Sequence, residues 1–355
     1  MPDACDSTAK SAGLQYAFFA SWARPVVSEL PRGIRKALHD EPVPDWRAPM
    51  LATLTDRRFS DPQWYFERKF DGERCLAFRD GDQLRLLSRN RQPLNGTYPE
   101  LVDALAAQQT SRFVVDGEVV AFEGRRTSFA RLQGRLGITD PEQARATGIP
   151  VVYYIFDVLH LDGQRTTELP LAWRKRLLRN MFQFSDPLRF TTHRVQNGEA
   201  MYHAACARGD EGVIAKLADA RYVGGRSANW LKFKCVRDQE FVVGGYTAPK
   251  GSRVELGALL VGYYDGRDLV YAGKVGTGFD DATLRSLHRR LSTIEQEASP
   301  FTRGLPRESE TRWVRPEVVV EVGFSEWTRD GKLRHPRYIG LRTDKEAREV
   351  VRETR

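Results

Sequence analysis

Apolar and polar positions alternate with a period of two from residue 64 onward, the pattern of half-buried strands. Residues 64–70 (WYFERKF) read as one strand, and 74–88 (RCLAFRDGDQLRLLS) as two joined at a tight Asp80-Gly81-Asp82 turn. Residues 98–108 then switch to helical spacing, with Leu101 and Leu105 on one face. Two apolar strands follow at 112–122 and 151–163, then an amphipathic helix at 171–182 with basic residues set opposite its leucines. A helix ending near Gly209, a strand through Val213 and Ile214, and a short strand at 230–235 complete this half.

Beyond Val236 the texture changes to short strand runs punctuated by Gly and Asp-Gly turns, around one helix at 280–295 that Asp280 or Asp281 can cap. Several short strands and one helix in about 100 residues suit a small barrel of the oligonucleotide-binding kind. At the other end, residues 14–40 hold one or two short amphipathic helices interrupted at Pro25 and Pro31, and 43–52 suits an extended entry into the first folded unit.

With 355 residues, two domains are expected. Lysine and arginine number 55 against 47 acids, a net charge of +8 that points to an anionic partner without naming it. A hydrophobic content of 41% excludes a disordered tail or fibre. No apolar run approaches the roughly 20 residues of a spanning helix. Cys5, Cys75, Cys206 and Cys235 are scattered without zinc-knuckle spacing, which reads as use in a reducing compartment. The opening MPDACDSTAK is no secretory signal, so the cytoplasm is expected.

Candidate chemistry centres on Lys69. Glu67, Lys69 and Asp71 share one face if the strand continues, and Arg74 follows the Gly72 turn. Such a cluster either holds a phosphate-bearing ligand beside a nucleophilic amine or is a solvated, salt-bridged strand edge. Asp116 can cap a turn, whereas Glu118 can accept a ribose hydroxyl. Glu211 leads a further strand with another acid. Lys232 and Lys234 fall on one strand face, a clamp for phosphate oxygens. Phe156 stacks on a base or fills the core.

In order, these segments resemble the covalent nucleotidyltransferase superfamily, and within it the small bacterial ATP-dependent DNA ligases (ligase C-like). The K-x-D-G-x-R element is Lys69 to Arg74, and the next is Ser88-Arg89-Asn90-Arg91, with Arg91 where many relatives have glycine. Asp116-Gly117-Glu118, Phe156-Asp157, Glu211 to Lys216 and Trp230 to Lys234 follow. Arg334-His335-Pro336 and Arg342-Thr343-Asp344-Lys345 close the set.

The resemblance implies an α+β nucleotidyltransferase (ATP-grasp-like adenylation) domain over 43–237, then an OB-fold β-barrel domain over 238–345. An N-terminal extension (1–42) and a charged C-terminal tail (346–355) flank them. From the length, no large helical DNA-binding domain and no polymerase or nuclease domain is expected beside them. The family's lysine attacks ATP, so Lys69 is the implied nucleophile, with Asp71, Arg342, Asp344 and Lys345 as further catalytic residues. Glu67 and Phe156 are assigned to adenine, Glu118 to the ribose, and Arg74 to the ribose or flanking contacts. Arg89 falls to the nick 5′-phosphate or AMP, Lys232 and Lys234 to the α-phosphate, and Arg226 to the nucleotide.

Arg342 and Lys345 would orient pyrophosphate, with Asp344 orienting one of them or serving the next step. Glu211 and Glu118 are the metal-side acids, for Mg2+ with Mn2+ as a substitute. The amine of Lys69 would be favoured in its neutral form by Arg74, Lys232 and Lys234, and opposed by Glu67 and Asp71. Nicked double-stranded DNA is the implied partner of a monomer, alongside repair or end-joining proteins, with no membrane. Arg174, Lys175, Arg176 and Arg179 are candidates for a DNA-facing surface, and 236–239 for a hinge. An RNA ligase, an RNA-capping transferase and a non-catalytic OB-fold binding protein are the alternatives.

Overall fold

The computed structural model describes residues 27, 30–235, 238–249, 255–306 and 310–353. Two sheets build the first half of the molecule. One runs His39–Asp40, Gln164–Arg165, Val151–Leu161, Arg112–Glu123, Glu73–Asp80, Gln83–Ser88, with short strands added beside it. The other runs His193–Val195, Trp64–Lys69, Gly212–Leu217, Gly225–Lys234, Met50–Leu54. The strand carrying Lys69 belongs to the second sheet, and the next strand, Glu73–Asp80, to the first. The turn at Phe70–Gly72 therefore carries the chain from sheet to sheet directly after the lysine.

That crossing is tight. A Cβ at Gly72 would stand 2.2 Å from the Val119 carbonyl oxygen, so only glycine lets the turn pass this close to the strand Arg112–Glu123. Gly212, following Glu211, has φ of +148°, and a Cβ there would meet the Phe233 carbonyl oxygen at 1.9 Å. Between the sheets, Met50, Leu76, Phe78, Val114, Phe156, Leu159, Tyr222 and Trp230 form a shared core. A larger core on the far side of the first sheet receives the helices Pro99–Ala106 and Leu171–Met181.

The second half is a curled seven-stranded antiparallel sheet. Its long first strand, Asp238–Thr247, pairs with Val319–Gly323 through residues 238–242 and with Thr311–Val314 through 245–247, so one strand serves two partners along the curl. The helix Asp281–Ser292 is capped by Asp280, which accepts from the Thr283 N–H at 2.7 Å, and buries Leu284, Leu287 and Leu291. This is the small barrel that the strand runs predict.

Several expectations need correction. In the helix Leu171–Met181, Arg174 and Lys175 are buried rather than set opposite the leucines. Arg174 lies three residues after Leu171 and four before Leu178, which is the apolar face itself. Asp116 is no turn cap but sits mid-strand, fully buried. Cys206 and Cys235 are joined in a disulfide, against the reading of reduced cysteines; Cys75 is free and buried.

Of the extension, 1–26 and 28–29 lie outside the described residues, as do 236–237 of the expected hinge. Within the described part, Leu30 is in the first-sheet core and His39–Asp40 pairs with Gln164–Arg165. Residues 346–353 are packed against the barrel: Val350 is buried, its carbonyl accepting from Tyr264 N–H at 2.7 Å. Among the described residues, no helix is long and apolar enough to cross a membrane.

Candidate active site

One cavity of about 210 Å3 opens between the second sheet, the start of the first and the barrel. All fourteen candidates line it: Glu67, Lys69, Asp71, Arg74, Arg89, Glu118, Phe156, Glu211, Arg226, Lys232, Lys234, Arg342, Asp344 and Lys345. The strand registers explain the convergence. Gly212 faces Lys69 on one side and Lys234 on the other, so the Glu211 turn and both lysine-bearing strand ends meet at one edge.

The Lys69 amine forms an ion pair with Glu211. Burial and the nearby Lys234 work against its charge, but Glu211 and Asp238 together overcome them, so the amine's pKa is raised. The main opposition to a neutral nucleophile comes from Glu211 and Asp238, while Glu67 is taken up by other lysines. Asp71 accepts from the Phe129 N–H at 3.1 Å, and burial raises its pKa.

Glu67 is buried, its two carboxylate oxygens each meeting an ammonium at 2.6 Å, Lys175 on one and Lys216 on the other. Burial would raise its pKa, yet the two lysines together lower it. Its carboxylate is therefore engaged rather than open to a base. Lys216 lies 4.1 Å from the Phe156 ring centre and 4.0 Å from that of Trp230. Burial and Lys175 bring its pKa down to about 8 even with Glu67 beside it. Lys216 and Trp230 are cavity residues that the sequence reading did not select, although both stand inside its motifs.

Arg74 is fixed as a floor. It grips Asp116 with two bonds of 2.5 and 2.6 Å, donates to the Met50 carbonyl at 3.0 Å, and lies 4.8 Å from the Phe156 ring centre. Tyr222 donates to the same Asp116 at 2.6 Å. Arg226 donates to the Ala52 carbonyl at 2.9 Å.

The remaining cations meet carboxylates from residue 238 onward. Lys232 pairs with Glu353 and Lys234 with Asp238. Arg89 pairs with Glu349 at 2.8 Å, and Lys345 with Glu240 at 3.1 Å. Arg342 makes two 2.8 Å bonds to Asp344 and a third, 3.1 Å, to Glu321. Burial and Lys234 lower the pKa of Lys232 to about 8, whereas Asp238 and other acids overcome burial to raise that of Lys234. Glu240, Glu321, Glu349 and Glu353 escaped the sequence reading; the first two are charges inside apolar strand runs, which was the available signal.

Among the described residues, no group of three or more His, Cys, Asp or Glu stands ready to hold a metal ion. Two carboxylates nonetheless suit a hard cation that takes its other ligands from phosphate and water. Glu211 Oε2 is buried without a hydrogen-bond partner, and burial pushes Glu118 up to about 7, a carboxyl that a cation would ionise.

Comparison with known proteins gives the family. Residues 49–234 match the family model described as ATP dependent DNA ligase domain, and 252–345 match ATP dependent DNA ligase C terminal region. The chain is 38% identical over 321 residues to the multifunctional non-homologous end joining protein LigD of Pseudomonas aeruginosa, covering 88% of this chain and 37% of that protein. It is also 38% identical over 315 residues to the LigD end joining DNA repair protein of Mycobacterium tuberculosis H37Rv, covering 86% and 40%. The chain thus spans about two-fifths of the length of these curated relatives. A solved structure of mycobacterial DNA ligase D complexed with ATP and MES is similar at 34% identity and a TM-score of 0.61, covering 86% of this chain and 98% of that one. Since the first model alone spans more than half of the sequence, the chain belongs to the ATP-dependent DNA ligase family.

Proposed function

We propose that the chain joins a 5′-phosphate to a 3′-hydroxyl at a nick in duplex DNA, through a lysyl-AMP and then a DNA-adenylate. The observation that supports this most is the position of the Lys69 amine. It is partly buried at the crossing of two sheets, in a cavity where the barrel's Arg342 and Lys345 converge with Lys232 and Lys234. Phosphoryl and nucleotidyl transfer needs this kind of fixed positive field more than it needs a strong base.

Lys69 Nζ attacks the α-phosphorus of ATP, forming the N–P bond as the bond to pyrophosphate breaks. Lys232 and Lys234 hold the α-phosphate, and Arg342 and Lys345 the leaving pyrophosphate. Phe156 and Trp230 wall the base slot. Lys216, rather than the Glu67 carboxylate, presents the donor there; an ammonium suits the unprotonated N1 of adenine and opposes the N1–H of guanine. Glu118 accepts from the ribose, and Arg74 is a rigid floor beneath it.

Magnesium, or manganese in its place, would be held by Glu211 and Glu118 with phosphate oxygens and would supply charge neutralisation at the α-phosphate. Before Lys69 can attack, its proton must leave and Glu211 must find another partner. AMP then passes to the nick 5′-phosphate, positioned by Arg89, and the 3′-hydroxyl displaces it. We place the protein in the cytoplasm as a monomer that serves repair by end joining with other repair proteins.

The test is to incubate the chain with α-labelled ATP or GTP and magnesium, then to offer nicked DNA and nicked RNA. Label transferred from ATP, absent in Lys69→Ala, with sealing of the DNA nick is the expected result. Labelling from GTP alone, or sealing of RNA alone, overturns the reading.

A further inference from the structure

A short helix, Phe129–Leu132, stands between the nucleophile's loop and the barrel. It is capped by Ser128, whose hydroxyl accepts from the Arg131 N–H at 3.2 Å. On one side this segment holds the residue two beyond Lys69. The Phe129 N–H donates to Asp71 Oδ2 at 3.1 Å, and the Asp71 N–H donates to Thr127 Oγ1 at 3.3 Å.

On its other side the helix meets the barrel strand Arg337–Arg342 just before the catalytic Arg342-to-Lys345 run. The Arg342 guanidinium carbon lies 4.4 Å from the centre of the Phe129 ring. The side-chain amide of Gln133, one residue past the helix, donates to the Leu341 carbonyl at 3.2 Å. A Cβ at Gly340 would stand 2.2 Å from Gln133 Nε2 and 3.3 Å from Phe129 Cδ1, so the barrel strand passes closer than a side chain there would permit.

We propose that Phe129 and Gln133 are positioning residues for transfer of AMP from ATP to Lys69, acting through Asp71 and Arg342, and that they have no part in the final sealing step. The inference rests on the ligase reading above. Its logic is geometric. In this arrangement Arg89 is covered by Glu349 and Lys232 by Glu353, both anchored on the barrel through Val350 and Val351. A nick cannot reach Arg89 and Lys69 until that segment lifts away. Because Val350 and Val351 tie the segment to the barrel, we take the two to lift together, which breaks the contacts to Leu341 and Arg342. The helix can therefore align the barrel only while ATP is being used, and not while the duplex occupies the site.

The two steps can be measured apart on the full chain. Labelling of Lys69 by α-labelled ATP reads the first in a single turnover. Sealing of a nick supplied already adenylated, without ATP, reads the last. Gln133→Ala is expected to slow labelling about three- to tenfold, the worth of one neutral hydrogen bond. Phe129→Leu keeps the buried apolar plug but removes the ring face under Arg342, and slows labelling by a similar factor. Gly340→Ala reaches the same contact from the barrel, because its methyl must swing the Gln133 amide away.

Sealing of the adenylated nick stays within twofold of wild type in all three variants. Equal slowing of both steps would show a merely structural role and overturn the inference, as would unchanged labelling in the three variants. If the wild-type chain takes no label at all, the ligase reading falls and this inference with it. Normal wild-type labelling with no step-specific effect overturns the inference alone.

Discussion

Replacing Arg174 with alanine separates two roles that one basic helix can have. Arg174 is fully buried, with bonds of 2.7 and 3.0 Å to the two Asp157 oxygens and further bonds of 2.5 and 3.0 Å to the Leu169 and Ala220 carbonyls. Asp157 is itself fully buried. Removing one member of a buried pair typically costs about 3–5 kcal/mol, because the other charge is stranded. Two carbonyls also lose a charged donor, part of which entering water restores, so roughly 4 kcal/mol is expected overall. In a domain of this size each kcal/mol moves the melting temperature by about 2–4 °C, giving a fall of about 8–16 °C.

Arg176 and Arg179 on the same helix are exposed, and their replacement by alanine should change stability by no more than about 0.5 kcal/mol. If either touches a phosphate, it should instead lower the salt slope of DNA binding by about one. Thermal melts followed by circular dichroism, with DNA affinity measured across a KCl series, give both numbers. An Arg174→Ala protein that melts within about 2 °C of wild type while its salt slope falls would refute the buried-pair reasoning.

Three further outcomes follow from the same contacts. Glu67→Gln leaves Lys175 and Lys216 buried together without a counter-ion and should cost about 3–5 kcal/mol in urea unfolding, while adding Lys175→Met should recover part of the loss. Strict additivity of the two changes would contradict a shared charge network. Burial raises the Glu73 pKa to about 7, although Tyr98 donates to it at 2.6 Å. Between about pH 4.5 and 7 the unfolded chain therefore ionises this group first, and stability falls as pH rises. Glu73→Gln should flatten that slope without abolishing it, since Glu118 titrates in the same window; an unchanged slope counts against the shift. The Cys206–Cys235 disulfide closes a 29-residue separation, worth roughly 3–4 kcal/mol by chain entropy. Reductant should therefore lower the wild-type melting temperature and leave that of Cys206→Ser unmoved.

The site was legible because its residues stand where strands leave their sheets. Lys69 ends one strand, Glu211 precedes another, and Lys232 and Lys234 close a third, so order along the chain maps onto one edge in space. The partners were not legible, since a charge does not announce what it meets. Glu67 finds Lys175 across 108 residues, and Lys232 finds Glu353 across 121. Local periodicity carries no signal at that range. Arg174 is different: its spacing from Leu171 and Leu178 puts it on the apolar face, against what its charge alone suggests. The Phe129–Leu132 helix is only four residues long, too short for a helical period to register.

Charge neutralisation ties these observations to the reaction. Buried ammonium and guanidinium groups need counter-charges, and a triphosphate is one source of them. Without it, Asp238, Glu240, Glu321, Asp344, Glu349 and Glu353 take its place, and all six come from the barrel half of the chain. The same cations cannot be fully satisfied by both sets. A bound triphosphate must therefore take these cations from the carboxylates that hold them. Lys69 differs from these, for its ion-pair partner, Glu211, lies in its own half of the molecule, with Asp238 adding to the field that keeps it charged. That pair does not depend on the barrel for its partner, so the amine keeps a carboxylate beside it that favours its charged form. On the proposed mechanism, a cation held by Glu211 would compete for that carboxylate and so would couple activation of the amine to the presence of its substrate.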